Sequence, residues 1–116
     1  MNTKHLSIVL AVSLVLVRIA DAHAFLDRAD PKVGSTINES PSQVTVWMTE
    51  NLEPAFSKLQ IYDAKGTAVD NKDTKVNGNI MKVSLPKLAP GKYRVSWQVV
   101  AVDTHRTSGT FDFTIQ

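Results

Sequence analysis

Near its C-terminal end the sequence reads Ala101-Val102-Asp103-Thr104-His105-Arg106-Thr107-Ser108-Gly109. Asp103 and His105 are two residues apart, and in extended backbone positions i and i+2 project to the same side. A carboxylate and an imidazole at that spacing can reach one ion together. A second imidazole, His23, directly follows Ala20-Asp21-Ala22 near the other end. If a leader is cut off after Ala22, His23 carries the free α-amino group. The amine and ring Nδ1 can then close a six-membered chelate. His105 adds a third nitrogen in a T-shaped plane, which a carboxylate or water completes. Planar N,O coordination suits Cu(II), which also heads the affinity order of divalent first-row metals. The ligands must shed protons, the amine included, so binding is expected to weaken in acid. Past residue 22, His23 and His105 are the only histidines. The plainer readings are a solvated loop histidine and a cleavage site that precedes a histidine by chance.

Residues 1–22 have the layout of a signal peptide. Lys4 supplies the positive charge, an apolar run extends from Leu6 to Val17, and Ala20 and Ala22 are the small residues a signal peptidase reads. The alternative is a membrane anchor. The run is 12 residues long and Arg18 ends it, whereas a spanning helix needs roughly 20. The expected organisation is therefore a cleaved leader at 1–22 and one domain at 23–116. Without Lys4, Arg18 and Asp21 the remainder carries 11 basic and 10 acidic side chains. That near-neutral balance implies no electrostatic partner, and no Lys/Arg cluster interleaved with aromatics points to nucleic acid. With no cysteine, an exported chain folds on its apolar core alone and cannot bind metal through thiolate.

The elements that must position these residues read as strands, because apolar residues recur with period two rather than with a helical period. Phe25 to Ala29 is a short first strand ended by Asp30-Pro31, and Lys32 to Ser42 is loop in composition. In Gln43 to Met48, residues Val44, Val46 and Met48 face one way and Thr45 and Trp47 the other. Leu52 to Phe56 can form one helical turn. Lys58 to Tyr62 points Leu59 and Ile61 inward, with a turn at Ala64-Lys65-Gly66. Asn77-Gly78 predicts a type I′ hairpin, which needs positive φ at both central residues. It joins a strand ending near Val76 to one over Ile80 to Leu85. Leu88-Ala89-Pro90-Gly91-Lys92-Tyr93 has the form of the tyrosine corner of Greek-key sandwiches. Tyr93, Val95, Trp97 and Val99, then Phe111, Phe113 and Ile115, supply inward residues of the last two strands. The expectation is an all-β, immunoglobulin-like Greek-key β-sandwich of about seven strands.

Taken in order, the motifs resemble the CopC family of periplasmic copper-binding proteins over nearly all of residues 23–116. His23 stands where those proteins begin after processing. Asp30-Pro31 through Gly34-Ser35 resembles their early P-x-x-G/S loop, and Trp47 to Ser57 resembles their F-S-E-x-(L/V)…F segment. Pro90-Gly91-Lys92-Tyr93-Arg94-Val95-Ser96-Trp97 resembles their P-G-x-Y-x-V-x-W strand. Val102-Asp103-Thr104-His105 with Gly109 resembles their S-x-D-(G/T)-H-x-x-x-G motif.

The resemblance implies one Cu(II) ion per chain, held by His23, Asp103 and His105. Glu50 stands where some members place a carboxylate near the metal; its other reading is a helix or loop cap. The resemblance further implies a periplasmic, non-catalytic monomer in copper resistance or homeostasis. Such a protein sequesters copper or passes it to an inner-membrane transporter of the CopD type. The family's best-known members also carry a methionine-rich Cu(I) loop. Here only Met48 and Met81 lie past residue 22, and Met81 reads as core filler. Two rival classes stand beside this reading. One is a small copper oxidase similar to lytic polysaccharide monooxygenases, which also use an N-terminal histidine with a second histidine. The other is a metal-free immunoglobulin-like structural module.

Overall fold

The computed structural model describes residues 23–116, and the expected signal peptide lies outside the described residues. The strands are β1 (Leu26–Asp30), β2 (Thr36–Ile37), β3 (Gln43–Met48), β4 (Lys58–Tyr62), β5 (Lys75–Asn77), β6 (Ile80–Ser84), β7 (Gly91–Val100) and β8 (Arg106–Ile115), with a 3-10 turn at Pro54–Phe56. They form two four-stranded sheets, ordered β1-β3-β6-β5 and β2-β8-β7-β4. Period-two patterning fixes which faces meet. Val44, Val46 and Met48 of β3 and Met81 and Val83 of β6 turn inward from one sheet. Leu59 and Ile61 of β4, Tyr93, Val95, Trp97 and Val99 of β7, and Phe111, Phe113 and Ile115 of β8 meet them from the other. Each such aliphatic or aromatic side chain contributes about 1.5–3 kcal/mol on burial, and a chain without disulfides depends on that sum. The expected corner is present: the Tyr93 hydroxyl donates to the Ala89 carbonyl at 2.6 Å.

Several details differ from the sequence reading. The first strand starts one residue later, at Leu26. Within the expected loop 32–42, Thr36 and Ile37 pair in parallel with Thr114 and Ile115 and so make an eighth strand. Thr45 is buried, at 4% exposure, although it points away from the core. It sits mid-sheet between Asp30 and Lys82, whose longer side chains flank it. Trp47 on the same outer face is half-buried under the Arg28 guanidinium, 3.8 Å from its ring centre, a cation–π contact. In the β5–β6 hairpin Asn77 pairs with Ile80, so Gly78 and Asn79 are the central residues. Only Gly78 has positive φ, at 63°. That excludes type I′ and fits type II′, where glycine takes the first central position.

One end of the sandwich is knitted across the two sheets. The segment after β3 reaches the β5–β6 turn through Leu52 N–H to the Gly78 carbonyl at 3.0 Å. It reaches the β7–β8 turn through Val102 N–H to the Asn51 carbonyl, also 3.0 Å, and Glu53 N–H to the Val100 carbonyl at 2.8 Å. Residues 23–25 enter at this end, ahead of β1.

Candidate metal centre

His105 closes the tight turn Ala101–His105 between the two longest strands. The Ala101 N–H donates to the His105 carbonyl at 3.0 Å, and the Thr104 N–H to the Ala101 carbonyl at 2.8 Å. Thr104 adopts φ 77°, which a β-branched residue takes up only at a cost. Asp103 braces the histidine twice. Its Oδ1 accepts from the His105 N–H at 3.2 Å, and its Oδ2 lies 3.2 Å from His105 Nδ1. The backbone bond, followed by the facing ring, holds the Asp103 carboxyl below the usual carboxylate range. With Nδ1 engaged by the carboxylate, Nε2 is the nitrogen left to bind a metal.

His23 arrives from the other sheet. Its ring lies against that of His105, with centroids 4.4 Å apart and planes at 79°, and against Phe25 at 6.3 Å. Its Nδ1 is buried and has no hydrogen-bond partner among the described residues. An unsatisfied buried nitrogen carries a desolvation cost of about 1–3 kcal/mol. It is also the atom that a chelate with the terminal amine would use. The residues therefore fit a copper ion by donor chemistry: two imidazoles and a carboxylate next to a chain position that becomes an amine on cleavage.

The set is not yet closed around a point. Among the described residues no group of three or more His, Cys, Asp or Glu side chains has metal-holding geometry. The two rings are in edge-to-face contact, so an ion entering between them must part them. Each Asp103 oxygen already has one contact with His105 and keeps a further lone pair for another partner. Glu50 lies exposed in the turn after β3, beside Thr49. Met48 and Met81 are buried, at 1% and 0% exposure, and offer no thioether at the surface. Sequence reasoning missed Thr49 and Thr107, which bond the backbone of residues 23–25. Threonine is ordinary in strands, so nothing in its local pattern marks it.

Comparison with known proteins gives a consistent result. The CopC domain family matches residues 26–116; the match starts three residues after His23. Copper resistance protein C of Xanthomonas campestris pv. juglandis is 30% identical over an alignment of 125 positions, gaps included, covering 95% of this chain and 96% of that protein. Protein YobA of Escherichia coli strain K12 is 31% identical over 99 residues, covering 82% of this chain and 80% of that protein. The crystal structure of CopC from Methylosinus trichosporium OB3b matches with a TM-score of 0.77 at 30% identity, over 81% of this chain and 94% of that one. That of PcoC, described as a methionine-rich copper resistance protein from Escherichia coli, matches with a TM-score of 0.69 at 28% identity, over 82% and 100%.

Proposed function

The chain belongs to the CopC family, and on that premise we propose that it is a periplasmic Cu(II)-binding protein of copper resistance. The leader at 1–22 directs export and is removed after Ala22. One ion then binds to the His23 amine and Nδ1 and to His105 Nε2, with Asp103 orienting His105 or completing the set. The protein acts as a carrier rather than a catalyst: it sequesters copper or delivers it to a membrane transporter of the CopD type. The observation that carries this reading is the 4.4 Å approach of the His23 and His105 rings. Those two residues are 82 positions apart in sequence, and the fold puts them on one end of the sandwich.

The deciding experiment is mass spectrometry and Cu(II) titration of the exported protein. The expected mass begins at His23, and the expected product binds one Cu(II) with a planar, nitrogen-rich electron paramagnetic resonance signature. Zn(II) should compete poorly, since the affinity order and the planar geometry both disfavour it. A form with Met1 retained, or with a tag before His23, should bind much more weakly, because its amine is blocked. Equal affinity in blocked and native-start protein would remove the amine from the site. Absence of Cu(II) binding by the native-start protein would overturn the reading and favour a metal-free module.

A further inference from the structure

Residues 23–25 lead into the start of β1, and they belong to no strand. Two threonines hold them. Thr49, just past β3, accepts the Phe25 N–H on its Oγ1 at 2.9 Å and donates that hydroxyl toward the His23 carbonyl at 3.4 Å. Its own N–H donates to the Phe25 carbonyl at 2.8 Å. From the opposite sheet, the Thr107 hydroxyl of β8 donates to the Ala24 carbonyl. Ala24, between these attachments, is fully buried. The hydroxyl bonds span between 24 and 83 residues of sequence. They are therefore not the local turns that threonine side chains make with neighbouring backbone. The β1–β3 pairing also slips between Leu26 and Arg28, a bulge that re-aims the chain where it enters the sheet.

We propose that Thr49 and Thr107 are positioning residues for the N-terminal chelate. Their hydroxyls fix three consecutive backbone units, one from each sheet, so that the amine and ring of His23 meet His105. This rests on the copper reading above. Neither threonine touches the ion. Their role is to remove the freedom of an arm that would otherwise fray, as chain ends do. A chelate on a frayed arm loses part of its binding energy to ordering that arm.

The test uses the native-start protein with Thr49→Val and Thr107→Val, singly and together, and with serine at each position. Valine keeps the branched shape and removes the hydroxyl; serine keeps the hydroxyl. Three readouts are needed: Cu(II) affinity against a competing chelator, the electron paramagnetic resonance spectrum, and the melting temperature without metal. Each valine variant should bind Cu(II) about tenfold more weakly, the low end for loss of a group that orients a ligand. Its spectrum should broaden or split, its metal-free melting should fall modestly as a backbone group loses its partner, and serine should restore affinity. Wild-type affinity and spectrum in both valine variants would overturn the proposal. So would a loss of affinity that serine does not restore and that follows metal-free destabilisation, since the threonines would then be structural only. If the parent itself fails to bind through its amine, the copper reading falls and this proposal with it. Normal binding by the parent and by the valine variants sinks this proposal alone.

Discussion

Asp103 spends both carboxylate oxygens on His105, which separates what its loss should do from what loss of the imidazole should do. His105→Ala removes a nitrogen of the proposed site, so Cu(II) affinity should fall by orders of magnitude. Asp103→Asn leaves a single acceptor oxygen, so the ring keeps its place less firmly. Affinity should fall by about tenfold, as for other groups that orient a ligand, with an altered spectrum; isothermal titration of both variants checks the ranking. The Asp103 pKa is lowered, so its bracing is present above the ordinary carboxylate range and is lost only as pH falls through the lowered value. Proposed copper binding should weaken in acid, because nitrogen ligands must shed protons to bind. Thr104 at φ 77° explains why the family motif admits glycine at this position. The left-handed conformation costs a non-glycine residue about 1–2 kcal/mol, while glycine adds about 0.4–1 kcal/mol of chain entropy to lose. Thr104→Gly should accordingly leave stability level or raise it by up to about 1.5 kcal/mol in urea unfolding. At this scale the histidine pair was legible because the domain holds only two, and the nearby aspartate by its spacing. The threonine clamp was not, because its partners are backbone groups that come near only once the chain has folded.

Among the elements, the β7–β8 ribbon carries the turn of the proposed site, and its rigidity depends on one close approach. Gly109 pairs with Trp97 across the ladder, and a Cβ there would lie 2.7 Å from Trp97 Cε2 and 2.9 Å from Nε1. Gly109 thus makes room for the core tryptophan. Gly109→Ala should cost about 1–3 kcal/mol, as overpacking does, and Trp97→Ala about 3–5 kcal/mol, as large aromatic truncations do. Denaturant midpoints measure both, and an unchanged midpoint for Gly109→Ala would contradict the packing argument. The outer edge of β4 is handled by side chains: Asp70 Oδ1 accepts the Ile61 N–H at 2.9 Å and Thr74 Oγ1 the Leu59 N–H at 3.2 Å. Nearby, Asp73 accepts from the Ser84 hydroxyl and from its N–H at 2.8 Å, and these bonds lower its pKa. The clasp therefore stabilises the fold at neutral pH and fades as pH falls through that lowered value. Asp73→Asn should flatten the acid limb of the stability–pH curve and leave copper binding alone. Long strands were legible because alternation repeats over six to ten residues. Two-residue β2 offers no period to detect, and its parallel pairing with β8 is decided by tertiary contact.

For the whole molecule, the consequence of the proposed site would be a crosslink between sheets. His23 enters along β1 of one sheet, and His105 sits on the turn between β7 and β8 of the other. No disulfide joins them, so apart from packing and loop bonds a bound ion would be the only strong tie across that end. A ligand that binds the folded state alone stabilises it by about 2.7 kcal/mol at a hundredfold excess over its dissociation constant. For a domain of this size each kcal/mol raises the melting temperature by about 4–8 °C. Native-start protein should therefore gain roughly 10–20 °C under those conditions. At the same Cu(II) concentration, protein with a blocked His23 amine should gain far less, because its dissociation constant is larger and fewer molecules hold the ion. Met48→Leu and Met81→Leu should shift the metal-free melting but not the copper-induced increment, since both thioethers lie in the core. Differential scanning calorimetry of these four proteins with and without Cu(II) checks the set. An equal increment in blocked and native-start chains would show that the ion does not tie the N-terminal arm to the β7–β8 turn.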